Sequence, residues 1–140
     1  MALAFVITLE RELPDAAAAA AYAKGKTGKA LARESNKLDS VARRKGVEPM
    51  SGLLSESQAA LRAQLEADGF DPSRMRLPPE RWFDAEQGLK TVRALAEFVG
   101  ANLNDFKQPN PILRDLKAAE TLLVAAAAAG VKFHFSSADL

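Results

Sequence analysis

Two short apolar segments at the ends of the chain decide the fold: LAFVITLE at residues 3–10 and VKFHFSS at residues 131–137. In both segments, large apolar side chains occupy every second position, which is the period of a β-strand. We therefore predict one strand near each terminus. A ribbon of two strands is only marginally stable by itself. We expect the two strands to pair and the intervening helices to cover them.

The outer edges of such a small sheet need a partner, because an open edge tends to pair with another chain. The sequence leaves two solutions open. One is a third short strand near residues 74–77. The other is a homodimer that pairs the same strand edge in two copies.

Helical periodicity fills most of the chain between the strands. Apolar residues spaced by three and four positions predict four helices, over residues 28–45, 56–68, 85–100 and 111–129. The second of these helices is expected to bury Leu61 and Leu65. The start signals are Ser55 with Gln58, Asp84 with Gln87, and Asn110 before Pro111. We therefore predict an α+β fold, with about four helices packed on a small sheet made by the N- and C-terminal strands.

The alanine-rich segment after the first strand is harder to assign. Pro14 breaks the strand, residues 16–21 are all alanine, and two glycines follow. Six alanines cannot nucleate a stable helix alone. We predict a mobile loop or a short helical turn over residues 14–27, within a single globular domain of residues 1–140.

Composition limits the class of protein. The chain has 140 residues, a formal net charge of +1 and no cysteine, which excludes disulfides, thiolate metal sites and a cysteine nucleophile. No basic residue precedes the first apolar run, so a secretory signal is not predicted. No segment approaches the ~18 apolar residues of a membrane span. These features predict a cytoplasmic protein without membrane contact.

Residues 25–27, Gly-Lys-Thr, match the end of a phosphate-binding loop, G-x-x-x-x-G-K-[ST]. The first glycine of that motif would fall at Ala20, and an alanine run rather than a strand precedes it. Because the loop needs that glycine for its tight turn, the sequence predicts no nucleotide site and no cofactor.

Charge is concentrated in residues 22–46, which hold eight basic and two acidic residues. Such a segment could dock on phosphates or on an acidic protein. The candidate anion-binding residues are Lys26, Lys29, Arg33 and Lys37. No RNA-binding or helix-turn-helix signature accompanies them, so a solvated helix face is favoured and nucleic acid is not expected.

His134 is the only histidine, so a Ser-His-Asp hydrolase would have to use it as its base. Only Ser136 shares its strand face, because Ser137 lies on the opposite face. No G-x-S-x-G elbow and no paired spacing of metal ligands accompany it. We predict a partly exposed strand histidine, with no catalytic or metal site.

Carboxylates are the remaining catalytic candidates. Glu10 and Glu12 share one strand face, and Glu80, Asp84 and Glu86 lie close together in sequence. A glycosidase needs two carboxyl groups at a set separation across a cleft. Asp84 and Glu86 also fit a helix N-cap and first turn, where negative charge is favoured. We therefore favour structural roles over catalytic roles for these carboxylates.

Arg81, Trp82 and Phe83 form the candidate partner-binding set just before the third predicted helix. Exposed Trp and Arg are typical of interface hot spots. Buried, the aromatic pair would close the core where the chain enters the helix, and burial is the favoured state of large aromatic residues.

The segment that begins at Trp82-Phe83 resembles a family of small uncharacterised bacterial proteins. The similar positions are Trp82-Phe83, Ala85-Glu86, Gly88-Leu89, residues 91–95, residues 130–134 and the helix around Leu38-Asp39. The resemblance implies a shared fold and supplies neither an activity nor site residues.

Three functions follow as hypotheses. The leading one is a non-enzymatic cytoplasmic protein-interaction module, such as an immunity or adaptor protein with a protein partner. The second is an anion or nucleic-acid binder that uses residues 24–45. The third is a small hydrolase based on His134 or on the group of Glu80, Asp84 and Glu86.

Overall fold

The computed structural model describes residues 3–140 and forms eight regular elements over that range. In chain order they are β1 (Leu3–Leu9), α1 (Ala16–Gly25), α2 (Lys29–Arg33), α3 (Ser35–Lys45), α4 (Gln58–Ala67), α5 (Ala85–Ala101), α6 (Pro109–Ala129) and β2 (Phe133–Asp139). Three short 3-10 turns join them, at Met50–Leu53, Pro72–Arg74 and Leu103–Asp105. None of the helices in this range is both long and apolar enough to cross a membrane.

The two terminal strands pair, as the sequence predicts. β1 and β2 run antiparallel, with Ile7 opposite Phe135 and Thr8 opposite His134. The predicted third strand near residues 74–77 does not form, because these residues follow the 3-10 turn without entering a ladder. Instead, Leu54 and Phe83 each form a single bridge with β2. The α+β prediction with a sheet from the terminal strands is confirmed.

Both outer edges of this sheet are covered by the chain itself. On β1, the Phe5 N–H donates to the Gly28 carbonyl at 3.0 Å, and the Ile7 N–H donates to the Tyr22 hydroxyl at 2.9 Å. On β2, Phe133 exchanges two backbone bonds with Phe83, and the Phe135 carbonyl accepts from the N–H of Ser55. A homodimer through a strand edge therefore lacks the open edge that motivated its prediction.

The core lies between the sheet and the pair α5 and α6. Phe133 and Phe135 of β2 are fully buried and meet edge to face, with ring centroids 5.6 Å apart. Gly88 of α5 faces the Phe133 ring so closely that an added Cβ would lie 2.4 Å from its Cζ. Gly88 therefore lets α5 approach the sheet, and Phe133 fills the space that a side chain at position 88 would occupy.

The structure corrects the prediction of a mobile loop or short helical turn over residues 14–27. These residues contain the ten-residue helix α1, whose N-terminus is capped by the Asp15 carboxylate accepting from the Ala17 N–H. The loop prediction rested on the local helix propensity of the alanine run alone. Tyr22 adds the missing stabilisation, because its hydroxyl is bonded to β1 and ties the helix to the sheet.

Burial raises the pKa of Tyr22 to about 12. The folded state therefore holds the phenol proton more tightly than the unfolded chain does. The resulting stabilisation is complete below about pH 10, the ordinary tyrosine pKa, and is lost as the pH rises to about 12. We expect stability to fall over that window by up to about 1.4 kcal/mol per pH unit from this group.

A Tyr22→Phe variant should lack this alkaline loss and should cost about 1 kcal/mol near neutral pH, because the Ile7 N–H loses its acceptor. Urea denaturation of both proteins between about pH 8 and pH 12 gives the comparison. Tyr22 is the only tyrosine, so tyrosinate absorbance reports its titration directly. Parallel stability curves for the two proteins would contradict the assignment.

Three of the helix predictions also need correction. The predicted helix over residues 28–45 is divided into α2 and α3 at Glu34, whose φ of −102° and ψ of 17° interrupt the helical path. α6 begins at Pro109 rather than at Pro111, so Asn110 is not its N-cap. At the start of α5, the predicted cap residue Asp84 makes no side-chain capping bond.

The α4 region departs furthest from its prediction. Its N-cap is Ser57, which accepts from the Ala60 N–H at 3.1 Å, and not Ser55. Ser55 instead bonds β2 through its N–H, and its hydroxyl accepts from the Arg81 N–H. Leu61 and Leu65, predicted to be core residues, are only half-buried.

Candidate functional site

The predicted partner-binding segment, Arg81 to Phe83, lies along the outer edge of β2. Backbone bonds fix it there: Arg81 donates to the Ser55 hydroxyl at 2.8 Å, and Phe83 exchanges bonds of 2.8 and 2.9 Å with Phe133. Trp82 and Phe83 are half-buried, and Arg81 is exposed with its guanidinium 5.0 Å from the centre of the Phe83 ring. Of the three, only Arg81 is exposed.

The docking of this segment brings Glu80 and Trp82 onto His134. The Nε2 atom of His134 lies 2.7 Å from Oε2 of Glu80, and the Trp82 and His134 ring centroids are 4.6 Å apart. His134 is 1% exposed, which corrects the predicted partly exposed histidine. The physical reason is that Trp82 covers the strand face on which His134 lies.

Both nitrogens of this imidazole are engaged. Nε2 faces the Glu80 carboxylate, and Nδ1 lies 3.1 Å from the Phe135 carbonyl oxygen, which can only accept a hydrogen bond. The pair has the components of an acid–base dyad. However, only 1% of the His134 surface is exposed, so a substrate has almost no access to the imidazole. The geometry is that of a buried, polar packing contact.

The predicted serine partners do not complete a catalytic set. The Ser136 hydroxyl is paired with the Thr8 hydroxyl at 3.0 Å across the two strands. Ser137 lies on the other strand face, where its N–H donates to the Glu56 carboxylate at 2.9 Å. Neither serine is hydrogen-bonded to His134, whose nitrogens already have partners.

The candidate carboxylates separate in space. Glu80 is bound to His134, whereas Asp84 and Glu86 line a groove of about 630 Å³ at the start of α5, together with Lys90 and Lys132. Glu10 is exposed at the end of β1, and Glu12 lines a different groove beside α1. Within residues 3–140, no three histidine or acidic side chains converge as metal ligands.

The candidate anion-binding residues are all exposed, but two of them are engaged within the chain. Lys37 donates to the Asp105 carbonyl, and its ammonium lies 4.4 Å from the Phe106 ring centre. Arg33 lies 3.9 Å from the Glu34 carboxylate. Lys26, with a φ of 47°, forms the C-cap of α1, and Lys29 begins α2. The structure therefore spreads the four residues over a turn and two helices.

The Gly-Lys-Thr motif lies in the turn from α1 to α2 and so joins two helices rather than a strand and a helix. The α2 N-terminus is capped from a distance: the Ala30 N–H donates to the buried Asp115 carboxylate of α6 at 3.0 Å. The segment thus serves to dock α2 onto α6 and β1.

One exposed stretch of the described chain was not identified from the sequence. None of the twenty residues 58–77, which we call the arm, is buried. It comprises α4 and the turn that follows. Phe70 and Met75 of the arm are large apolar side chains with 55% and 42% of their surface exposed.

The arm is nevertheless locally ordered. The Phe70 N–H bonds back to the Leu65 carbonyl at 2.8 Å around Gly69, which closes α4. Beyond it, Ser73 donates to the Asp71 carboxylate through both its N–H and its hydroxyl, and these bonds lower the pKa of Asp71. At its base, the arm borders a cavity of about 250 Å³ lined by Leu54, Leu61 and Arg81, among others.

Sequence reasoning missed the arm because its leucines have the spacing of a buried helix. The available signals were the mixed surface of alanines and charges on α4 and the three prolines that follow it. Together they indicated a segment with little apolar surface to bury.

Comparison with known proteins identifies no family. No protein-family model matches the chain, and no solved structure matches it. A similar segment occurs in the gamma-glutamyl phosphate reductase of Koribacter versatilis (strain Ellin345), which is 47% identical over 58 residues. The match covers 39% of this chain and 14% of that enzyme. The likeness is therefore local, and it transfers neither the fold nor the activity of the reductase.

Proposed function

We propose that this chain is a cytoplasmic protein-interaction module, adaptor- or immunity-like, that uses the arm as its contact surface. The observation that carries the proposal is the run of twenty residues without a buried side chain, ending in the exposed Phe70 and Met75. Phe70 and Met75 lie five residues apart on this segment, and exposed apolar side chains that form a contiguous patch mark protein contact sites. The partner is a protein with an apolar recess that accepts these two side chains.

The shape of α4 supports this proposal. Its half-buried Leu61 and Leu65 lie towards the body of the domain, whereas Ala59, Ala63 and Ala67, four residues apart, are exposed. Short side chains on the exposed face allow the backbone of a partner to approach closely. The hydrogen bonds within the arm reduce the ordering cost of binding, because the contact segment already has its conformation.

The position of Arg81 extends the proposed surface. Arg81 lines the cavity at the base of the arm, next to Glu56. An arginine beside an apolar recess is a common component of binding hot spots. The partner-binding set predicted from the sequence is therefore proposed in part: Arg81 belongs to the proposed surface, whereas the half-buried Trp82 and Phe83 support it.

A hydrolase is not favoured by this geometry, since both His134 nitrogens are occupied and the residue is only 1% exposed. The basic segment likewise offers dispersed side chains rather than one phosphate-sized cluster. Neither alternative has an observation in its favour comparable to the arm.

The test is capture of proteins from a host lysate on the immobilised domain, with paired variants. We expect Phe70→Ser combined with Met75→Ser to reduce recovery of a stoichiometric partner at least ~10-fold, as loss of an interface anchor does. Leu103→Ser is the matched control, because Leu103 is 45% exposed but lies outside the arm.

A photo-crosslinking residue placed at position 70 should link to the same partner, and one placed at position 103 should not. Equal capture by the arm variant and the control variant would refute the arm as the contact surface. Recovery of nucleic acid that is released by moderate salt would instead favour the basic segment.

A further inference from the structure

A second surface feature, remote in sequence from the arm, lies between α1, β1 and α6. These elements border a groove of about 530 Å³. This volume falls within the range of about 300–1,000 Å³ that is usual for small-molecule sites. Its walls are largely apolar and include Ile7, Leu9, Leu13, Ala19 and Leu122.

The groove exists because of the alanine run. Ala16, Ala19 and Ala23 are spaced by three and four residues, so they share one face of α1, and all three line the groove. Their side chains are short, and although Ala18 and Ala19 pack partly against the core, no residue of α1 is fully buried. Tyr22 spans the gap and holds the helix in place through its bond to the Ile7 N–H.

The rim of the groove carries an unneutralised arginine. A single nitrogen of Arg11, Nη2, lies 3.2 Å from both the Ala129 and Gly130 carbonyl oxygens at the end of α6. Among residues 3–140, no carboxylate lies within ion-pair distance of its guanidinium. Arg11 is therefore positioned by α6 while its other N–H groups remain free for a ligand. Glu12, the other charged residue of the groove, has no ion-pair partner in this range either.

We propose that this groove binds an apolar carboxylate of the medium-chain fatty acid class, with its alkyl chain against α1 and its carboxylate on Arg11. The fork of the guanidinium matches a carboxylate, and the alanine face and Leu122 match an alkyl chain. The proposal stands independently of the arm, because none of the groove residues belongs to it.

Decanoate, kept below the concentration at which it forms micelles, is the probe, and decanol of the same chain length is its uncharged counterpart. Titration calorimetry on the full chain should show saturable binding of decanoate. Arg11→Gln should weaken decanoate binding about fivefold, the effect of losing one solvent-exposed ion pair, and should leave decanol binding unchanged. Glu12→Gln should strengthen decanoate binding, because a nearby negative charge is removed.

Ala19→Leu should fill the groove and reduce the affinity for both probes at least tenfold. Ala21→Leu is the matched control, because Ala21 is exposed and lies on the face of α1 that does not line the groove. Helix content by circular dichroism shows whether both variants fold. Equal affinity in the Ala19 and Ala21 variants, or equal loss of decanoate and decanol in Arg11→Gln, would overturn the proposal.

Discussion

Replacement of Gly28 by alanine is expected to lower the free energy of unfolding by at least ~3 kcal/mol. Gly28 has a φ of 116°, which L side chains rarely adopt. An added Cβ would also lie 2.2 Å from the carbonyl oxygen of Phe5. The obstacle is backbone rather than a flexible side chain, so α2 and β1 would have to separate. That movement breaks the bond from the Phe5 N–H to the Gly28 carbonyl.

Gly46→Ala is the matched control, measured like Gly28→Ala by urea denaturation. Gly46 also has a positive φ, 73°, but nothing lies within 4 Å of the position of its missing Cβ. Its substitution should therefore cost only the conformational term, about 1–2 kcal/mol. The difference between the two variants isolates the steric contact with β1. Equal destabilisation of the two variants would show that β1 does not press on Gly28.

This glycine shows where sequence reasoning reaches its limit. The segment Gly25-Lys26-Thr27-Gly28 suggests phosphate chemistry, but Ala20 stands where a phosphate-binding loop needs its first glycine. The reason for Gly28 is a backbone contact with a strand more than twenty residues away, which no local pattern reveals. The same limit applies to Tyr22, whose bond to Ile7 turns a predicted loop into a docked helix.

The elements predicted well are those with a regular apolar pattern over many consecutive residues. α5 and α6 have sustained apolar periodicity, and their observed bounds lie within two residues of the prediction. The terminal strands carry clear alternation and pair as expected. α4 was predicted correctly as a helix, but its leucines were wrongly expected to be buried. Leucine spacing indicates which face of a helix is apolar and not whether another element covers that face.

The sequence identified the residues of the candidate site separately but did not predict that they meet. His134, Glu80 and Trp82 were each weighed separately, and 54 residues separate the carboxylate from the imidazole. Their meeting depends on backbone bonds between Phe83 and Phe133, which no side-chain pattern reports. The arm is exposed and the groove beside α1 is open because no other part of the described chain packs over them. Local apolar periodicity does not report whether a surface is covered.

We expect a second large effect from replacement of His134 by alanine, which should lower the free energy of unfolding by about 2–4 kcal/mol. The imidazole is almost fully buried, lies against Trp82 and satisfies two hydrogen bonds. Its removal leaves a cavity and deprives the Glu80 carboxylate of its partner. Glu80 can turn towards solvent, since 26% of its side chain is exposed, which keeps the loss below that of a fully buried ion pair.

Urea denaturation of His134→Ala, Glu80→Gln and the double variant gives the coupling energy between the two side chains, expected at about 1 kcal/mol. Ser137→Ala is the control, because Ser137 is an exposed residue of the same strand that uses only its backbone N–H in bonding. It should change stability by less than about 0.5 kcal/mol. Trp82, the only tryptophan, should report the loss of its neighbour through its fluorescence.

The result decides between a packing role and a chemical role for His134. A packing histidine must be costly to remove, because the fold has buried it with its partners. If His134→Ala were as stable as Ser137→Ala, the imidazole and its carboxylate would contribute little to the fold, and their 2.7 Å contact would need a reason outside stability. That outcome would return the hydrolase hypothesis to consideration. A loss in the expected range would show that His134 adds a packing contact to the backbone bonds that hold the segment from Glu80 to Phe83 against β2.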